Sequence, residues 1–131
     1  MSIIDIPQIL ETELASITPV IATVAPNTSY TPVTGTPYQK LAFLLAKPSN
    51  DYISRSYNQQ GYMQVSLCYP QLGGALAIRT RAQLIRDHFK SGAILSGVKI
   101  TSTPEIGNGN NEGDRFVIPV FVYFSQYNSE T

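Results

Sequence analysis

The sequence predicts an α+β domain, with a mainly antiparallel or mixed sheet of about four strands packed with two helices. The order of elements in the second half carries most of this. A strand from Gly61 to Tyr69 precedes a helix from Gly74 to Phe89, a strand from Val98 to Thr103 and a long apolar strand from Phe116 to Tyr127. The second observation is the scarcity of chemistry-bearing residues: one histidine, one cysteine and no tryptophan. Well-patterned elements without a catalytic constellation point to a scaffold whose function comes from shape and assembly.

At the N-terminus, Ile3, Ile6, Leu10, Leu14 and Ile17 recur at three and four residues and share one helix face. Ser2 or Asp5 can cap this helix, and Pro7 is tolerated in its first turn. Thr18 to Pro37 contains Pro19, Pro26, Pro32 and Pro37, which prohibit a long helix and favour an extended, turn-rich segment over the surface. Tyr38 to Lys47 alternates weakly, as a strand covered on both faces would, with a helix as the competing reading.

Residues 48–60 are polar and aromatic and longer than a tight hairpin loop, so they are expected to form a projecting arm. Gly61 then opens a strand with Met63, Val65, Leu67 and Tyr69 on one face and Tyr62, Gln64, Ser66 and Cys68 on the other, until Pro70 stops it. After the Gly73-Gly74 turn, Ile78, Ala82, Ile85 and Phe89 form one stripe of a helix that Gly92 terminates. Leu84 falls about 130° round from that stripe, as either a scattered surface leucine or a contact to another molecule. Residues 104–114 hold three glycines, three asparagines and acidic residues, and are expected to be a flexible loop. Phe116 to Phe124 is apolar on both faces and reads as a central strand, although Pro119 implies an edge, a bulge or a strand start.

The 131 residues suit a single domain, 1–131, that buries roughly two thirds of its unfolded surface. Nine basic and nine acidic residues cancel without any run of like charge, so sequence-specific nucleic-acid binding is not expected. No apolar run approaches the roughly 20 residues of a membrane span, and Met1 to Ile17 lacks the basic end and apolar centre of an export signal. Cys68 inside a strand reads as a small buried hydrophobe, which makes a reducing compartment the default.

No catalytic, cofactor or metal site is expected. His88 has no second His, Cys or carboxylate pair at ligand spacing, and it suits a helix C-terminus as a surface or capping residue. Glu105, Glu112 and Asp114 among asparagines do not follow the calcium-loop order, and Gly107 and Gly109 precede no helix that could hold a phosphate. The eight tyrosines can act as rigid interface anchors, with Tyr52, Tyr57 and Tyr62 clustered about the arm, or pack within the monomer. Tyr52, Ile53, Arg55 and Tyr57 of the arm, together with Leu84, are the candidate subunit-interface residues.

Pro37-Tyr38, the strand Gly61-Tyr62-Met63-Gln64-Val65-Ser66-Leu67, the helix end Phe89-Lys90-Ser91-Gly92 and the final Ile118-Pro119-Val120-Phe121-Val122-Tyr123 occur in an order that resembles the tail terminator (tail-completion) proteins of long-tailed bacteriophages. The resemblance spans residues 1–127. It implies a structural virion subunit without an active site, forming a hexameric homo-oligomeric ring at the head-proximal end of the tail. Its partners would be the tail tube protein and the head-tail connector protein, with assembly in the host cytoplasm and no membrane partner. Another head-tail joining or tail-tube protein is the neighbouring alternative, and a monomeric ligand-binding or enzymatic α+β domain is the more distant one.

Overall fold

Two antiparallel strands of 15 residues each, β4 (Ser56–Pro70) and β9 (Arg115–Ser129), form the spine of the sheet and pair along their whole length, from Ser56 opposite Ser129 to Pro70 opposite Arg115. A computed structural model of the chain describes residues 5–17, 21–24, 31, 36–47, 49–50, 56–70, 75–95, 97–113 and 115–129. Outside β4 lie β1 (Ala22–Val24), β2 (Tyr38–Leu45) and β3 (Ser49–Asn50). Outside β9 lie β5 (Ile94–Leu95), β6 (Val98–Ile100), β7 (Glu105–Ile106) and β8 (Asn110–Glu112). The order is β1-β2-β4-β9-β6-β5, with β3 beside β4 and with β7 and β8 beside β9. All pairs are antiparallel except β1 with β2, so the sheet is mixed, as expected.

Helices α1 (Asp5–Ala15) and α2 (Ala75–His88) cover one face. Of the predicted stripes, Ile3 lies outside the described residues, while Ile6, Leu10 and Leu14 of α1 with Ile17 just beyond it, and Ile78, Ala82 and Ile85 of α2 with Phe89 just beyond it, are all buried. They meet Met63, Val65 and Leu67 of β4 and Ile118, Val120, Val122 and Phe124 of β9 in one core. Alternation along each strand brings these residues to the same side, because side chains two apart share a face. At the end of α2, the Ala93 N–H donates to Lys90 O at 3.0 Å, closing a turn whose third residue is Gly92 at φ +86°. That conformation is open to glycine and costly for other residues.

The sheet has nine strands among the described residues, where about four were expected. Much of the excess lies in segments 48–60 and 104–114. Residues 56–60 continue β4, and Ser49 and Asn50 pair with Asn58 and Tyr57 of the expected arm. Gln59, buried there, donates through Nε2 to Ala46 O at 2.8 Å, so a polar side chain substitutes for an apolar one in holding that corner. Within 104–114, expected as a flexible loop, Glu105–Ile106 and Asn110–Glu112 pair with β9. The glycines between these strands permit close approach: a Cβ on Gly107 would come within 2.8 Å of Pro119 Cγ, and one on Gly109 would overlap the Phe116 ring. Main-chain pairing needs no buried side chains, which is why composition does not reveal it.

Pro119 stands in the middle of β9, not at an edge or a strand start. Its carbonyl accepts from Gly107 N–H at 2.8 Å, so its own nitrogen faces the same outer side. There it falls between the residues paired by β7 (120–121) and those paired by β8 (115–117), and no ladder bond to β4 is lost. Leu84 also differs from expectation. It is half-buried and packs against the core, because the short strands beside β9 broaden the apolar surface under α2. The prediction that β2 is covered on both faces fails along one face, where Lys40, Ala42 and Leu44 are exposed, Leu44 to 54%, and at its C-terminal end, where Leu45 is 39% exposed. The Ser2 cap, the Gly73-Gly74 turn and most of residues 18–37 lie outside the described residues.

Arg115, buried at the first position of β9, donates from Nη1 to Thr36 O at 2.7 Å and lies 4.8 Å from the centre of the Tyr38 ring. It ties the chain entering β2 to the start of β9. Arg115→Ala should lower unfolding free energy by about 1.5–3 kcal/mol, the range for a charge-assisted bond. Arg115→Lys should recover little of it, since the planar stack is lost. A thermal midpoint unchanged in both variants would show that the contact carries no stability.

Candidate assembly surface

The face of the sheet opposite the helices is built by alternate residues of three adjacent strands. Lys40, Ala42 and Leu44 of β2 stand across from Ser66, Gln64 and Tyr62 of β4, which stand across from Pro119, Phe121 and Tyr123 of β9. Neither helix packs on this face: their buried apolar residues all belong to the core on the other side. At its centre Tyr62 meets Phe121 and Tyr123 edge-on, with ring centres 5.5 and 5.8 Å apart. All three rings are half-buried within the monomer, with Leu44 exposed beside Tyr62. Such a cluster of amphipathic rings offers large contact area at low conformational cost.

The Tyr123 phenol is pushed above its ordinary value by desolvation, then by the Glu105 charge and the hydrogen bond to Glu105, and last by Tyr62. Toward the other end of the face, Lys40, Gln64, Ser66, Asn108, Glu112 and Pro119 line a shallow groove of about 420 Å³. Beneath it Cys68 is 4% exposed, next to Tyr38 and Val117. Burial pushes the thiol up, with smaller opposing effects from Tyr38 and Lys40. A protonated, covered thiol is a poor nucleophile. We expect alkylation of Cys68 near pH 8 to be slow in the native protein and fast in denaturant; equal rates would contradict the burial. The raised folded pKa also gives a sign: stability contributed by this group is present below the ordinary thiol range and is lost as pH climbs through the raised value.

His88 finds a partner that spacing did not reveal. Its Nε2 lies 3.0 Å from Glu13 Oε1, across 75 residues, joining the end of α2 to α1. Its ring also meets Phe89 edge-on at 5.0 Å. Both partners are about a third exposed, and the pair fastens two helices on the side away from the bare face. Among the described residues no group of three or more His, Cys, Asp or Glu could hold a metal ion. Among the described residues no helix is long and apolar enough to cross a membrane.

Of the predicted interface residues, Tyr52, Ile53 and Arg55 lie outside the described residues. Tyr57 is placed by its backbone between Asn50 and Asn128. Leu84 is on the helix side and packs into the core. The ring cluster was only partly visible beforehand: Tyr62 was singled out, but its meeting with Phe121 and Tyr123 depends on the β4–β9 register.

Fold and surface together describe a small α+β domain in which, among the described residues, no helix covers one face of the sheet. A solved structure has the same fold, with a TM-score of 0.77 and 19% identity over 100% of this chain and 99% of the other. No curated protein sequence matches the chain. A family model described as phage tail terminator protein matches residues 5–124, and the chain belongs to that family. The family is structural, not enzymatic, and makes the protein a component of the virion tail.

Proposed function

We propose that the protein is the subunit of a homo-oligomeric ring, a hexamer, that closes the head-proximal end of the tail tube and offers a surface to the head-tail connector. Family membership supports this reading, and the observation that carries it is the bare sheet face with Leu44, Tyr62, Phe121 and Tyr123. A monomer of this size gains by burying such a surface, at roughly 25 cal/mol for each Å² of apolar area removed from water. The subunit contacts are heterologous, each copy using two different patches, as a closed ring requires. Residues 48–60, including Tyr52, Ile53, Arg55 and Tyr57, reach toward the neighbouring copy in this scheme, and residues 104–114 face tube or connector. Assembly takes place in the host cytoplasm, and the subunit carries no active site.

Native mass measurement over a range of concentrations, alone and with tail-tube protein, tests the proposal. The expected result is a multiple of the 14.4 kDa chain mass, with closed annuli by negative-stain microscopy. A species that stays at one chain mass under every condition overturns it. Tyr57→Ala should weaken assembly while leaving the thermal midpoint of the monomer unchanged; undisturbed assembly removes the arm from the scheme.

A further inference from the structure

The two lateral edges of the sheet carry matching groups at matching heights. On one side β1 pairs only with residues 38–40 of β2, so from Leu41 to Leu45 the outer edge of β2 has no strand partner among the described residues. This free edge presents exposed Leu44 on the bare-face side, and Lys40, the last residue paired by β1, is exposed on the same face just beyond it. On the other side β5 is the outermost strand, and its Ile94 is 70% exposed. Below it, beside β9, β7 exposes Glu105.

The register gives each of these a height along β4. Leu44 stands opposite Tyr62, whereas Ile94 lies level with Gln60 through Lys99 and Ser125. Lys40 stands opposite Ser66, whereas Glu105 lies level with Gln64 through Phe121. Both pairs are therefore offset by the same two residues, about 7 Å along the strands. Both also fall on the same face, since Tyr62, Gln60, Ser66 and Gln64 alternate together. A single shift along the strands puts leucine level with isoleucine and lysine level with glutamate, Glu105 lying one strand nearer to β9 than Ile94. The described part of the β1–β2 edge, residues 22–24 and 38–47, has Lys40 and Lys47 and no acidic residue. The opposite edge supplies the acid, and Lys99 lies one strand inward of Ile94.

We infer that a second copy of this chain docks edge to edge, the Leu41–Leu45 edge of one subunit, with Lys40 beside it, meeting Ile94 and Glu105 of the next. The contact is heterologous, and repeated round an axis it continues one bare face into the next. Exposed strand edges are ready templates for such pairing. This inference rests on the ring reading and adds to it the surfaces that touch, moving Glu105 from the segment facing tube or connector into the contact between copies.

Cysteine cross-linking in the full-length chain tests it. Leu44→Cys and Ile94→Cys are made singly and together, with the wild type, whose only thiol is buried, as control. Under mild oxidation or with a short bis-maleimide, a mixture of the two single variants should give covalent dimers, and the double variant a ladder of higher species. Each single variant alone should give neither. Efficient self-linking of Leu44→Cys alone would overturn the inference in favour of a two-fold edge contact. Native mass of the wild type separates the failures. An oligomer without mixed cross-links sinks the edge pairing and leaves the ring; a strict monomer sinks both. As a second reading that needs no thiol, Lys40→Glu and Glu105→Lys should each reduce oligomer yield alone, and mixing the two charge-reversed chains should restore it, because alternation round a ring of even number pairs every residue 40 with an opposite charge at residue 105; the doubly reversed chain should restore it as well, and failure of both to do so would overturn the charge pairing.

Discussion

Phe124→Ala should be among the most damaging single substitutions in this chain, costing about 3–5 kcal/mol. Phe124 is 1% exposed and is one of the largest side chains in the core. Its position multiplies the effect. It lies on the helix side of β9, directly between Gly61 of β4 and Ile100 of β6, so its ring fills a row in which one neighbour has no side chain. An aromatic opposite a strand glycine covers backbone that would otherwise be left uncovered, and nothing nearby can expand to replace it. Domains of this class have total stabilities of about 5–15 kcal/mol, so the variant should unfold on the order of 10–20 °C lower, or fail to accumulate. Phe124→Leu, which keeps a branched apolar side chain, should recover roughly half of the loss. Calorimetry on both variants checks this; an Ala variant within about 1 kcal/mol of wild type would show that the site collapses without cost.

The same residue shows what could be read in advance. Both helices were legible because a period of 3.6 over eleven or more residues is hard to satisfy by accident, and Leu10, Leu14, Ile85 and Phe89 are all fully buried. The two long strands were legible in their apolar stretches. Their polar extensions were not: residues 56–60 hold their place through main-chain pairing with β3 and β9 and through the Gln59 amide, none of which has a hydrophobic signature. Glu105–Ile106 and Asn110–Glu112 were hidden for the same reason. Leu84 lies off the apolar stripe of α2 yet packs against the core, because helical period alone does not show how wide a surface α2 sits on. The bare face was not legible, since Tyr38 to Lys47 reads as a strand covered on both faces and Phe116 to Phe124 as apolar on both. Its specific ring cluster and its two edges required the register, and a shift of one residue between β4 and β9 would have turned Tyr62 and Phe121 to opposite faces.

Gly61→Ala is the second substitution expected to act strongly, by a different route. A Cβ at this position would overlap the carbonyl oxygen of Leu44 and lie 3.1 Å from the Leu45 Cα. Both are main-chain atoms, so no rotamer change relieves the clash and the β2–β4 pair must part locally. Overpacking of this kind costs about 1–3 kcal/mol. The damage should concentrate at the Leu44–Ala46 end, where the Ala46 N–H donates to Gln60 O at 2.8 Å. Amide exchange there should accelerate well before exchange in β9. Gly92→Ala is the useful contrast: nothing lies within 4 Å of its added Cβ, but φ is +86°, so its penalty of about 1–2 kcal/mol is conformational and stays in the turn after α2. Gly61→Ala also bears on assembly, because the displaced segment is the edge that carries Leu44 and Leu45. It should reduce oligomer formation at temperatures where the monomer remains folded, while Gly92→Ala, at the same overall stability, should not. Equal assembly by the two variants would mean that the β2 edge is not where neighbouring copies meet, and an unchanged midpoint for Gly61→Ala would mean that the two strands are not as close as the structure places them.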